Sequence, residues 1–126
     1  MKKPTVLIAN ADEHSRILLE ETFQMMAQYS KNYHLLSTSS GKAAINFCHE
    51  YNIDLIFTEL QLKDMEGWQL IKKINELFPS THIIIQTAVI TDDIARMVRE
   101  SGVDSHLAKP INIYEMQKKV QGVFKI

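Results

Sequence analysis

Three polar residues stand directly after apolar runs of strand length. Glu59 follows Leu55-Ile56-Phe57-Thr58, Thr87 follows Ile83-Ile84-Ile85-Gln86, and Lys109 follows a short run that reaches Leu107-Ala108. A carboxylate, a hydroxyl and an ammonium therefore converge on one rim if the three runs lie side by side. Asn10, Ala11 and Asp12 follow a fourth such run, Val6-Leu7-Ile8-Ala9, and would share that rim. Elsewhere, Cys48 and His49 form a pair that is reactive on paper, but Cys48 lies on an apolar stripe with Ala44 and Tyr51 and reads as a core thiol. The five histidines, His14, His34, His49, His82 and His106, have no metal-ligand spacing among themselves.

The elements that must position these groups alternate along the whole chain. After the first strand, Leu19, Phe23 and Met26 recur at i, i+4 and i+7, the period of an amphipathic helix. Leu35-Leu36 marks a weak second strand, and Ala44, Phe47, Cys48 and Tyr51 a second helix after Gly41. Gly67 opens a third helix with Leu70, Ile71, Ile74, Leu77 and Phe78 on one face, stopped by Pro79. Ile94, Met97 and Val98 mark a fourth helix ending near Gly102, and Ile113, Met116, Val120 and Phe124 the last. Strict alternation of strand and helix predicts a parallel sheet covered on both faces, with its site outside the carboxyl ends of the strands.

The chain has 126 residues, the length of one domain, and residues 1–126 are expected to form a single unit. Fourteen Lys plus Arg against fifteen Asp plus Glu leave a net charge of -1, which offers no basic excess for a phosphate backbone. No apolar run reaches the roughly 18 residues of a membrane span. Nucleic acid and bilayer are not expected partners. One cysteine makes no internal disulfide, and the start reads as a strand rather than a signal peptide, so a cytoplasmic location is expected.

The ordered set Val6-Leu7-Ile8 with Asp12-Glu13 and Arg16, the run from Asp54 to Gly67, Thr87-Ala88, Gly102-Val103-Asp104 and Lys109-Pro110 resembles the receiver domain of bacterial two-component response regulators over nearly the whole chain. The resemblance implies a flavodoxin-like (βα)5 fold, a doubly wound five-stranded parallel sheet of strand order 2-1-3-4-5. It also implies a phosphoryl switch. In such receivers an Asp ending the third strand takes a phosphoryl group from a histidine kinase, and two acids after the first strand hold Mg²⁺. A Thr or Ser after the fourth strand and a Lys after the fifth contact the phosphoryl oxygens, and a cis proline typically follows that Lys. Thr87, Lys109 and Pro110 match the last three positions.

The other positions depart. Glu59 stands at the phosphoacceptor, Asn10 and Ala11 at the acidic pair, with Asp12 matching only a third acidic position. Lys63 replaces a usual proline, and His106 stands where the fifth strand carries a rotating aromatic. Magnesium requires a near-octahedral set of oxygens; Ala11 offers none from its side chain and Asn10 a neutral one. Phosphoryl transfer depends on positioning and on charge neutralisation by that metal. The expectation is an atypical pseudo-receiver, not an enzyme, acting through protein contacts without aspartyl phosphorylation and without a cofactor. The alternative is a weakly phosphorylatable receiver that uses Mg²⁺ through Asp12 and Glu59, if the acidic pocket is partly functional.

Two readings of Glu59 stay open at this level, a partial mimic of the modified state and a plain ion pair with Lys109 that shuts the pocket. Asp12 reads as a first-turn or N-cap acid of the first helix, and Arg16 as a solvated residue of that helix, on the face where receivers usually meet the phosphodonor. Implied partners are a sensor histidine kinase or a downstream signalling protein. The resemblance also implies a homodimer surface on the fourth helix, fifth strand and fifth helix, which here carries Arg96, Arg99, His106, Tyr114 and Gln117. A small-molecule enzyme on the same scaffold ranks last, because Asn10-Ala11-Asp12-Glu13-His14 is no Ser/Thr/Gly-rich phosphate loop.

Overall fold

The computed structural model describes residues 3–27, 33–88 and 90–124. Strand and helix alternate from β1 (Thr5–Ala9) through α1 (Glu13–Ala27), β2 (His34–Thr38), α2 (Gly41–Glu50), β3 (Leu55–Glu59), α3 (Gly67–Leu77), β4 (His82–Thr87), α4 (Asp92–Glu100) and β5 (Ser105–Ala108) to α5 (Ile113–Phe124). All strand pairs are parallel, and the sheet order is β2-β1-β3-β4-β5, the doubly wound flavodoxin-like arrangement.

Both faces of the sheet are covered, which is why β1 is buried at every position and β3 at its first four rather than at alternate ones. On one face Leu7, Ala9, Ile56, Ile83 and Ile85 pack with Ala44 and Cys48 of α2, Leu70, Ile71 and Ile74 of α3, and Val98 of α4. On the other, Val6, Ile8, Leu55, Phe57, Ile84 and Leu107 meet Leu19, Phe23 and Met26 of α1 and Met116 and Val120 of α5. Burial holds the Cys48 thiol up at about 11, as a core thiol should be.

Helical period overreaches at two ends. Tyr51, assigned to the α2 stripe by spacing, is the residue after that helix, in extended conformation and exposed. Leu77, assigned to the α3 face, is exposed in the last turn, and Phe78 just beyond it packs inward instead. A stripe read from spacing alone continues past the point where the chain turns away. The weak second strand is a full one, paired with β1 in register from Thr5–His34 to Ala9–Thr38. Its apolar signal is short because an edge strand is only half covered.

Helix starts carry their own signals. Ser40 accepts from the Ala43 N–H, Thr91 from the Ile94 N–H, and Asn112 from the N–H groups of Tyr114 and Glu115. Before α3, the Gln69 side chain accepts from the Glu66 N–H at 3.0 Å. The Gly67 N–H donates to the Leu60 carbonyl at 2.7 Å, and a Cβ at Gly67 would fall onto the Glu59 carbonyl and 2.8 Å from Leu60 Cα. Glycine lets α3 start directly against the end of β3, and so fixes the strand end that carries Glu59. Among the described residues no helix is long and apolar enough to cross a membrane.

Candidate functional site

The strand ends form a cleft of about 460 Å³ lined by Asn10, Ala11, Asp12, Glu59, Leu60, Gln61, Thr87, Ala88 and Lys109. Parallel register alone brings β1, β3, β4 and β5 to a common upper edge, with Glu59 beside Gln86 and Thr87 beside Ala108. Side-chain alternation then sorts the groups. Ile8, Phe57, Ile84 and Leu107 face α1 and α5, so Asn10, Glu59, Gln86 and Lys109, two residues later in each chain segment, line up on that side.

Glu59 and Lys109 make the central contact, with Nζ 2.7 Å from Oε2. The carboxylate is 15% exposed and the ammonium-bearing side chain 34%. Oε1 accepts from the Leu60 N–H at 3.1 Å. Thr87 is buried, and its carbonyl accepts from the Lys109 N–H at 3.0 Å, which ties the ends of β4 and β5 together. The Lys109–Pro110 peptide bond is cis.

The turn after β1 is committed to local hydrogen bonding. Asn10 is buried, its Oδ1 accepts from the Asp12 N–H at 2.8 Å, and its Nδ2 approaches Gln86 Oε1 at 3.5 Å. Asp12 turns away from the cleft's centre onto the first turn of α1: its Oδ2 accepts from the Ser15 hydroxyl at 2.7 Å and the Ser15 N–H at 2.9 Å. Those two bonds, the hydroxyl first, hold its carboxyl below the usual range. Arg16 is not simply solvated, since its guanidinium donates to the Asn10 carbonyl at 2.7 Å. That bond ties the first helix to the turn after β1 and leaves Lys109 as the cation paired with Glu59. Ala11 contributes no side-chain oxygen.

This donor set does not fit a magnesium octahedron. Asn10 Oδ1 is bonded to a backbone N–H, Asp12 Oδ2 to Ser15, and Glu59 Oε2 is ion-paired with Lys109. Among the described residues no group of three His, Cys, Asp or Glu side chains is arranged to hold a metal ion.

Of the remaining predicted residues, Pro110 and His106 lie outside the cleft. His106 pairs with Ile85 in β5, and alternation with buried Leu107 turns it to the α4 side. Lys63 is exposed, with its N–H on the Ser39 carbonyl at 3.1 Å. Two contributors escaped sequence reasoning. Gln86 reads as the polar end of an isoleucine strand, yet it is buried beside Asn10. Asp64 accepts from the Gly41 N–H at 2.7 Å, the Ser40 hydroxyl at 2.8 Å and the Lys42 N–H at 3.1 Å, so the loop after Glu59 caps α2 from outside.

The profile of the family described as "Response regulator receiver domain" matches residues 6–121. Sporulation initiation phosphotransferase F of Bacillus subtilis is 26% identical over 121 residues, covering 96% of this chain and 94% of that protein. A cyclic di-GMP phosphodiesterase of Thermotoga maritima is 26% identical over 118 residues, but the chain spans only 30% of its length. A two-component response regulator from Clostridium difficile superposes with a TM-score of 0.86 at 25% identity, covering 98% of this chain and 97% of that one.

Proposed function

The chain belongs to the response regulator receiver domain family, and from that premise we propose that it is an atypical receiver whose signalling runs through protein contacts rather than through phosphorylation at residue 59. Receivers are signalling modules of two-component systems, not enzymes. The observation that carries the reading is the 2.7 Å contact between Glu59 and Lys109, which occupies the ammonium that would otherwise meet a phosphoryl oxygen. The two oxygens of Glu59 meet Lys109 and the Leu60 N–H, which favours a plain closing ion pair over a mimic of the modified state. No resident metal or cofactor is expected, because Ala11, Asn10 and the serine-bound Asp12 leave no acidic pair to hold Mg²⁺.

The retained Thr87, Lys109 and Pro110 support a second reading, a weakly phosphorylatable receiver that uses Mg²⁺ through Asp12 and Glu59. Incubation with acetyl phosphate and Mg²⁺, followed by intact-mass measurement, separates the two. The first predicts no phosphoryl adduct; a stable adduct mapped to Glu59 would establish the second. Partners of the proposed module are a sensor histidine kinase or a downstream signalling protein in the cytoplasm. The face of α4, β5 and α5, with Arg96, Arg99, His106, Gln117 and the prominent Tyr114, is the proposed homodimer surface.

A further inference from the structure

A second cavity opens on the other side of Lys109. It measures about 540 Å³ and lies between α1 and the β5–α5 connection, walled by Leu18, Leu19, Pro110 and Ile111, with Ser15 and Thr22 of α1 and Gln86 and Lys109 of the sheet side as polar members. Pockets for small organic molecules have this character, roughly 300–1,000 Å³ of mostly apolar wall with a few placed polar groups.

Gln86 is the residue that points to a ligand. It follows three isoleucines in β4, is 4% exposed, and lines this cavity. A buried amide has two N–H donors and an oxygen to satisfy, and the approach of Asn10 Nδ2 to Gln86 Oε1, at 3.5 Å, is at the outer limit of a hydrogen bond. An aliphatic side chain would fill the position as well; the amide adds donor groups at the cavity wall. Lys109 supplies the complementary charge, and it lines both this cavity and the cleft that holds Glu59.

We propose that this cavity binds a small apolar carboxylic acid, its hydrocarbon or aromatic body between Leu18, Leu19 and Ile111 and its carboxylate against Gln86 and Lys109. The proposal rests on the reading that Glu59, not a phosphoryl group, holds Lys109. A ligand carboxylate competes with Glu59 for the ammonium, so occupancy loosens the Glu59–Lys109 pair with no group transfer. Ligand concentration then takes the place of phosphorylation as the input to the receiver.

Phenylbutyrate is a suitable probe, titrated into the isotope-labelled full chain while backbone amide NMR shifts are followed. The expected result is saturable shifts at Leu18, Ala88 and Ile111 with a Kd at or below about 1 mM. Phenylbutanol, the same body without the charge, should bind about tenfold more weakly, as should phenylbutyrate to the volume-conserving Gln86→Leu variant. Thr22→Trp, which fills the cavity from α1, gives the same loss without touching the sheet. No saturable shift up to about 10 mM, or shifts indifferent to both substitutions, overturns the proposal and leaves the groove to an apolar protein segment. Neither result bears on whether Glu59 accepts a phosphoryl group, which the acetyl phosphate measurement reads separately.

Discussion

Removing Lys109 would leave the Glu59 carboxylate, 15% exposed, without the ammonium now 2.7 Å away. Breaking a fully buried pair costs about 3–5 kcal/mol. Lys109 is one-third open to solvent, so Lys109→Met is expected to cost less, about 1–3 kcal/mol. Adding Glu59→Gln should recover part of that loss, because no charge is then left unpaired. Urea unfolding of the wild type, both single variants and the double variant measures the coupling; strictly additive losses would show the contact to be energetically idle. The missing acids make a second residue-level prediction. Asn10→Asp, Ala11→Asp and Glu59→Asp together should produce a saturable Mg²⁺-dependent change in Trp68 fluorescence that the wild type lacks. The groups concerned were legible because each directly follows an apolar strand, at a spacing that parallel register converts into proximity. Gln86 and the Arg16 bond to the Asn10 carbonyl were not. A polar strand end and a charged helix residue are both ordinary on a surface, and only the folded geometry shows where these two point.

Between elements, the loop that follows Glu59 is held by Asp64, which caps α2 across 23 residues of sequence. The N–H groups of Gly41 and Lys42, with help from the Ser40 hydroxyl, hold the Asp64 carboxyl down at about 2. Its folded-state value lies below the ordinary carboxylate value of 3.8, so the stabilisation is fully present above about pH 4. It is lost as pH falls from there toward about 2. Asp64→Asn should therefore lower the melting temperature at neutral pH, and the gap from wild type should close as both are taken through that acid range. Amide exchange at Gly41 and Lys42 should speed up in the variant; unchanged exchange would mean that α2 does not depend on this cap. Caps within one helix, such as Ser40 for α2 or Thr91 for α4, follow from local sequence order. A cap supplied by a distant loop has no such signature, because it exists only once α2 and α3 are packed side by side and bring the loop between β3 and α3 to the start of α2. The same limit explains Tyr51 and Leu77: spacing gives a helix its face, but not the residue at which the chain leaves it.

Among the described residues two apolar clusters lie on either side of one sheet, and that sheet decides how cooperatively the molecule unfolds. Phe57 is fully buried in the cluster under α1 and α5, with Phe23 against it edge to face at 6.1 Å between centroids. Trp68 packs on the opposite cluster, with α2 and α3. The strands contribute to both: neighbouring residues Ile56 and Phe57 of β3 belong to different clusters, as do Ile83 and Ile84 of β4. Neither cluster can lose its strands while the other keeps them. A loss in one should therefore be felt equally by a probe in the other, as two-state unfolding requires. Phe57→Leu should cost about 1–2 kcal/mol, a large share of the roughly 5–15 kcal/mol that holds a typical domain. The measurement is denaturant unfolding followed in parallel by Trp68 fluorescence and far-ultraviolet circular dichroism. Coincident midpoints, both shifted by the same amount, are expected. A dichroism midpoint that falls while the Trp68 midpoint stays in place would instead show that the α2–α3 side can stand when the α1–α5 side has opened. The sheet would then be a boundary between two units rather than the element that joins them.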